Sequence, residues 1–206
     1  GNLGAVSTVS NGGGEGRGGA SVVVGVSGAS GMLYAVDLLQ QLKMDPAVTV
    51  HLVVSAGAKR VLPTEADVDL ASLEGLADVV YKDSDLGAAI ASGSFLVDCM
   101  AVVPCSAGTL ARIAHGHADS LLTRAAHVML KERRPLVLVV REAPYSRPML
   151  VNMLSAHDAG AVVLPASPGF YQRPATIHDL VGTVTARVLD RLGIANQRAP
   201  RWQGSR

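Results

Sequence analysis

The stretch Ser21-Val-Val-Val-Gly-Val-Ser-Gly-Ala-Ser-Gly31, continuing into Met32-Leu-Tyr-Ala-Val-Asp-Leu-Leu39, leaves few folds open. A β-branched run, a turn of Gly and Ser and an apolar pattern at helical spacing make a strand, a tight loop and a helix. The first turn of such a helix carries N–H groups without intrahelical partners, and the helix dipole adds partial positive charge there. The loop is either an anion cradle or a tight βα turn closed by capping serines. Gly28 and Gly31 let the backbone approach a ligand, and Ser27 and Ser30 add hydroxyl donors.

The same alternation recurs downstream. Val48–Val54 reads as a second strand ending at Ser55, with a helix through about Leu62. Residues 64–95 read as irregular, with a short helix and strand within Leu73–Tyr81. Asp98–Val103 is a near-continuous apolar run, the mark of a parallel strand buried on both faces. It leads into Pro104-Cys-Ser-Ala-Gly-Thr109, a second loop that opens a helix. A helix over Ser120–Lys131, a strand over Leu136–Val140, a helix over Met149–Ala159, a strand over Ala161–Leu164 and a long helix over Thr176–Leu192 complete the pattern. Such alternation dictates an α/β single domain over residues 21–206, a parallel sheet with helices on both faces. The Gly-rich residues 1–20 read as a flexible tail outside it.

Composition removes several function classes. Hydrophobic residues make up 49% and charged ones 17% of the 206 residues, an apolar balance that leaves surface to bury between subunits. No apolar run approaches the ~20 residues of a membrane span. A net charge of +1, without a basic stripe interleaved with aromatics, argues against nucleic acid. Cys99 and Cys105, the two cysteines, have no His at metal spacing, so reduced intracellular thiols fit better than a disulfide framework or a zinc site. His115-Gly-His117 lacks a recognisable third ligand. Residues 1–20 hold no apolar signal core and little Arg, so the expected location is cytoplasmic, or an organelle if the tail is the remnant of a transit peptide.

Ligands of an open α/β sheet bind outside the carboxyl ends of its strands. The residues there are Ser27–Gly31, Ser55, Ser106–Thr109, Arg141-Glu142 and Pro165–Tyr171, a set suited to an anionic ligand and one acid/base group. A dinucleotide site wants G-x-G-x-x-G and an acidic residue ending the second strand. This chain has Gly25-x-x-Gly28-x-x-Gly31 and Val54-Ser55, which disfavours NAD, and it has no G-x-x-x-x-G-K-[ST]. Two separate phosphate-type loops point to a mononucleotide such as FMN, or to two phosphorylated ligands.

Eight motifs are colinear with one family over about residues 21–204. They are Ser27-Gly-Ala-Ser-Gly31, Ser92-Gly-Ser-Phe95, Pro104-Cys-Ser-Ala-Gly-Thr-Leu110, Leu122-Thr-Arg-Ala-Ala126, Leu130-Lys-Glu-Arg-Arg-Pro-Leu136, Arg141-Glu-Ala-Pro144, Gly169-Phe-Tyr-Gln-Arg-Pro174 and Arg201-Trp-Gln203. Together they resemble the UbiX/Pad flavin prenyltransferases, within the flavoprotein family of homo-oligomeric FMN-containing Cys decarboxylases. The resemblance implies a three-layer Rossmann-like (flavodoxin-like) fold and a homo-oligomer, a dodecamer. It also implies an activity that joins a dimethylallyl group from dimethylallyl phosphate to N5 and C6 of reduced FMN. The product, prenylated FMN, is the cofactor of a partner decarboxylase of the UbiD type. By the same resemblance, FMN is held by Gly28, Ala29, Ser30, Ser55, Ser92, Ser106, Ala107, Gly108, Thr109 and Arg141. Tyr171 and Arg187 match positions that bind dimethylallyl phosphate, Lys131 a lysine near that phosphate, and Arg124 an arginine from a neighbouring subunit. Glu142 and Glu65 match acidic groups lining the site, and Trp202 a C-terminal tryptophan beside it. The implied catalytic set is thus Glu142, Lys131, Tyr171, Trp202 and Glu65.

Elementary chemistry agrees with that inventory. Expelling phosphate from an allylic carbon leaves positive charge on the dimethylallyl fragment and negative charge on the leaving group. Lys131, Arg187, Arg124 and the phenol of Tyr171 suit the second, and the π-face of Trp202 suits the first. Ring closure at C6 needs a base, a role for Glu142 or the retained phosphate. No Asp-rich D-D-x-x-D cluster is present, and no metal is expected. Read without the resemblance, Lys131 and Arg124 are a solvated helix stripe and Arg187 pairs with Asp190 or Asp179. Glu142 is then a loop carboxylate, Tyr171 packs a loop, Trp202 anchors the C-terminus and Cys105 is a small buried residue. His127 stands where the family carries Asp beside its arginine. Two other readings remain, an FMN-dependent cysteine decarboxylase and a non-catalytic FMN-binding protein. The first has a Pro-x-Met-Asn-x-x-Met motif, where this chain has Leu150-Val-Asn-Met-Leu154; the second predicts loss of the phosphate-binding set, which is present.

Overall fold

The structure, a computed structural model, describes residues 19–202 and Gly204, so the expected flexible tail lies, but for its last two residues, outside the described residues. In chain order the elements are β1 (Ala20–Val26), α1 (Met32–Lys43), β2 (Val48–Val54), α2 (Ala56–Glu65), α3 (Leu70–Glu74), β3 (Val79–Lys82), a 3-10 turn (Ala89–Ala91) and β4 (Cys99–Cys105). They continue with α4 (Ala107–Ala114), α5 (Leu121–Lys131), β5 (Leu136–Val140), α6 (Arg147–Asp158), β6 (Val162–Pro165) and α7 (Ile177–Leu192). All strand pairs are parallel and the order is β3-β2-β1-β4-β5-β6. This is the α/β, three-layer, Rossmann-like arrangement expected from the alternation. Strand order reverses between β1 and β4, and the crevice outside their carboxyl ends is where such sheets place a ligand.

The period of 2 along each strand sorts the core into two layers. Val22, Val24 and Val26 pack with α1, α2, α3 and α7 on one face, while Val23, Met100 and Val102 pack with α4, α5 and the buried end of α6 on the other. Every residue of β4 is buried, as its continuous apolar run demands. Each fully buried Val or Leu contributes about 1.5–3 kcal/mol, so the central strands hold the layers together.

Boundaries differ from the sequence reading where local chemistry overrides periodicity. Within residues 64–95 the expected short helix is α3, which starts three residues before Leu73, and the expected strand is the four-residue edge strand β3, three of whose residues are exposed. Pro104 and Cys105 belong to β4, and Ala107–Thr109 form the first turn of α4, because Ser106 accepts the N–H of Thr109 and caps the helix. Helix α6 starts at Arg147 rather than Met149, with Ser146 as its cap and Pro148 in its first turn, where a missing N–H costs nothing.

Beyond α7 the chain returns to the body of the domain. Arg198 donates from Nε to both carboxylate oxygens of buried Asp37 on α1 (2.9 and 3.0 Å) and from Nη2 to the carbonyl of His178 (2.8 Å). Gly182 on α7 leaves room for it, since a Cβ there would lie 2.3 Å from Nη1 of Arg198. This buried clasp fastens the C-terminal segment to α1 and α7.

Candidate functional site

At the switch point, Ser27 sews the first loop to the second. Its buried hydroxyl donates to the Pro104 carbonyl (2.9 Å) and accepts the Ser106 N–H (2.8 Å). Gly28 lies against the first turn of α2, where a Cβ would meet Cα of Gly57 at 2.8 Å. Backbone contact of this kind requires glycine at 28 and brings the amino end of α2 beside the loop.

The result is a cleft of about 370 Å³ on which the amino ends of three helices converge. Ser55 caps α2, Ser106 caps α4 and Ser120 caps α5, each accepting an N–H from its own first turn. The Ser106 hydroxyl donates to Oγ1 of Thr109 (3.0 Å), and both line the cleft with Gly28. Arg60 and Arg112 add positive charge, the latter 3.5 Å from Asp119. Asp83 already accepts the N–H groups of Leu121 (2.8 Å) and Leu122 (2.9 Å) at the start of α5, so the amino ends of α2 and α4, with the hydroxyls around them, are what suits a phosphate monoester. Sequence reasoning missed Arg60, Arg112, Ser120 and Thr123 here. Ser120 was legible as a helix cap, but nothing local signalled that α5 begins beside α2.

The far end of the first loop, at Gly31, is closed by an anion of the chain itself. Gly31, in a left-handed conformation (φ 111°), starts α1 without a side-chain cap of its own. The carboxylate of Glu65 accepts the N–H groups of Gly31 (2.7 Å) and Met32 (3.0 Å), so the anion at this helix end is supplied by the chain. Burial would raise the Glu65 pKa, yet the Ser30 hydroxyl, the two N–H groups and the charge of Arg141 outweigh it and hold the carboxyl below its ordinary value. Glu65 and Ser30 line a second cleft, of about 490 Å³, with Arg141, Tyr34, Ile177 and Leu180. The Tyr34 phenol, not anticipated from sequence, is raised by burial against the opposing pull of Arg141.

A third cleft, also of about 490 Å³, gathers Tyr171, Arg187 and Trp202. The Tyr171 and Trp202 rings meet edge to face, 6.0 Å apart at 83°. Arg187 pairs with Asp190 (3.1 Å), as helix-face spacing alone implied. Asp190 also holds Arg201, a residue the motif contained but to which no role was assigned.

The remaining expected residues are not gathered within one chain. Glu142 sits in the loop after β5, its Oε1 accepting the N–H of Ala143 (3.0 Å). Arg124 projects outward from α5. Ser92, bonded to the hydroxyl of Ser94 (2.9 Å), follows the 3-10 turn on the way to the start of β4. Lys131 pairs with Glu132 at the carboxyl end of α5, whose eleven residues carry it ~16 Å from the cleft at its amino end. Both therefore lie at the opposite edge of the sheet. The Cys105 thiol is fully buried and pushed up to about 12 by that burial, so it is no nucleophile. Nε2 of His115 lies 2.9 Å from Oδ1 of Asn152. Among the described residues no three His, Cys, Asp or Glu side chains are grouped as a metal site needs, and no helix is long and apolar enough to cross a membrane.

Comparison with known proteins gives this geometry a context. The Flavoprotein family profile matches residues 14–188. The flavin prenyltransferase UbiX of Deinococcus radiodurans is 60% identical over 183 residues, covering 88% of this chain and 93% of that protein. A crystal structure of a UbiX (PadA1) in complex with FMN and dimethylallyl pyrophosphate superposes with a TM-score of 0.89 at 41% identity, covering 91% of this chain and all (100%) of the other. A dodecameric FMN-dependent Ubix-like decarboxylase from Escherichia coli O157:H7 does so with a TM-score of 0.87 at 46% identity, covering 89% of this chain and 100% of the other.

Proposed function

This chain belongs to the Flavoprotein family, and we propose that it is a flavin prenyltransferase that joins the dimethylallyl group of dimethylallyl phosphate to N5 and C6 of reduced FMN. The observation that carries this reading is that the chain builds two kinds of anion site. One is a cradle of helix ends and hydroxyls; the other is an arginine cleft walled by Tyr171 and Trp202. A mononucleotide and a prenyl phosphate fill the two, and the cleft of Arg141 and Tyr34 lies beside Ser30 and Glu65 for the flavin ring.

The FMN phosphate is held by Ser55, Ser106 and Thr109 with the backbone of Gly28, Ala29, Ala107 and Gly108, and Arg141 contacts the flavin. Reduced FMN supplies the electron-rich nucleophile. Arg187 and the Tyr171 phenol bind the prenyl phosphate and stabilise the charge that builds on it as the allylic C–O bond breaks. Trp202 offers a π-face to the cationic fragment, and Glu142 or the departing phosphate takes the proton lost at ring closure. Glu65 acts through the loop it caps.

Ser92, Arg124 and Lys131 enter the site from a neighbouring copy. Phe170, Tyr171 and Trp202 are each more than 60% exposed in one chain, an aromatic surface that such a neighbour covers. The protein works as a homo-oligomer, the dodecamer seen in the E. coli O157:H7 relative. Prenylated FMN passes to a UbiD-type decarboxylase in the cytoplasm, a setting consistent with two free cysteines.

Separate titrations of FMN and dimethylallyl phosphate test the division. Tyr171→Phe and Arg187→Met keep FMN and weaken the prenyl phosphate by about tenfold, one or two charge-assisted hydrogen bonds' worth. Equal loss of FMN in those variants overturns the assignment of the two clefts.

A further inference from the structure

Two guanidinium groups in the arginine–aromatic cleft converge on one carboxylate. Nη1 of Arg187 donates to Oδ2 of Asp190 (3.1 Å); Arg201 donates from Nη1 to the same oxygen (3.1 Å) and from Nη2 to Oδ1 (2.8 Å). Nδ2 of Asn196 adds a fourth bond to Oδ1 (3.2 Å). The Asp190 side chain is 14% exposed, while those of Arg187 and Arg201 are 62% and 60% exposed. Asp190 is thus the enclosed hub, and the arginines are its spokes. Its contacts come from α7 itself and from the segment after it, which has already been fastened once by Arg198.

We propose that Asp190 is a positioning residue for the prenyl-phosphate reaction: it aims Arg187 and, through Arg201, clasps the C-terminal segment so that Trp202 stands against Tyr171. This deepens the function proposed above and rests on it. A long arginine free to move loses rotamer freedom when it meets an anion, and one already held by a carboxylate loses less. Two cations against one anion leave a net positive charge, so the hub orients the cleft without neutralising it. Arg201 immediately precedes Trp202, so a fixed guanidinium fixes the start of the tryptophan side chain.

A bare electrostatic role and a positioning role predict opposite outcomes. Asp190→Asn removes a negative charge beside the phosphate. If Asp190 served only as a counter-charge, that change would tighten dimethylallyl phosphate. As a positioning residue its loss raises the KM for that substrate about tenfold and frees the tail. Trp202 is the single tryptophan of the chain, so its fluorescence reports this tail alone.

The test uses the FMN-loaded full chain with the variants Asp190→Asn, Asp190→Glu and Arg201→Gln. Acrylamide quenching of Trp202 increases in Asp190→Asn and in Arg201→Gln, while Asp190→Glu restores part of the protection. FMN affinity stays within twofold of the parent, and KM for dimethylallyl phosphate rises most in Asp190→Asn. Unchanged quenching in both Asp190→Asn and Arg201→Gln, or a lowered KM in Asp190→Asn, overturns the proposal. Failure of the parent to prenylate FMN at all would overturn the function proposed above, and the quenching result would still decide the clasp.

Discussion

Replacing Glu65 by alanine removes the acceptor that closes the amino end of α1. Glu65 receives two backbone N–H groups, from Gly31 and Met32, and Gly31 offers no side chain to replace it. Loss of a helix cap costs about 1 kcal/mol, and a second part-buried N–H left without a partner adds about 1 more. The total of about 2 kcal/mol is a lower-end figure, because Glu65 is only partly enclosed and water reaches the vacated donors. For a chain of this size it lowers the melting temperature by about 4–8 °C. Glu65→Gln keeps an acceptor and loses the charge, so it costs about half as much. The pH dependence has a definite sign. The folded carboxyl lies below its ordinary value of 4.5, so the stabilisation is present above that value and is lost as pH falls through the folded one. The gap between the parent and Glu65→Gln therefore narrows below pH 4.5 in denaturant titrations. FMN affinity falls with stability, since the capped loop borders both the cradle and the flavin cleft. If Glu65→Ala melts with the parent and binds FMN normally yet transfers no prenyl group, Glu65 is a catalytic acid or base and the capping account is wrong.

Three further perturbations follow from the same geometry. Arg198→Met strands the carboxylate of Asp37, whose side chain is 4% exposed, and costs about 3 kcal/mol in denaturant titrations; Asp37→Leu added to it recovers most of that loss. Gly28→Ala drives a methyl group into the Gly57 backbone and reduces FMN binding by calorimetry at least tenfold, while the protein remains folded. His51 is buried, with Tyr81 at 3.0 Å and Ser21 at 3.1 Å on its two ring nitrogens, and burial lowers its pKa below 6.5 against the opposing effect of Asp78. The unfolded chain then binds the extra proton first, so stability declines as pH falls below 6.5, and His51→Gln flattens that part of the denaturation profile.

Much of the architecture is legible because it rests on patterns a chain cannot hide. β4 is a continuous apolar run and is buried throughout; the serines at 55, 106 and 120 stand where strands or loops turn into helices. The edge strand β3 is the weakest signal, with four residues of which three are exposed, so the sequence shows a strand there but not its bounds. The carboxylate at the start of α1 was invisible as a cap because it comes from 34 residues away, and the Asp37–Arg198 clasp spans 161. Neither has a local periodic trace. The cleft of Tyr171, Arg187 and Trp202 came with family resemblance rather than spacing, since a loop, a helix and a C-terminal segment build it. Lys131 and Ser92 show the opposite limit: a single chain holds them at the far edge of the sheet, and it is the proposed assembly of chains that gives them a place in a site.

As a flavin prenyltransferase the protein alters FMN and does not merely hold it. Reduced FMN, dimethylallyl phosphate and the protein are incubated without oxygen, and the flavin released from the protein is weighed by mass spectrometry. A flavin heavier than FMN by one dimethylallyl group is the predicted result. FMN recovered at its original mass, with the pyrophosphate also tried, contradicts the account.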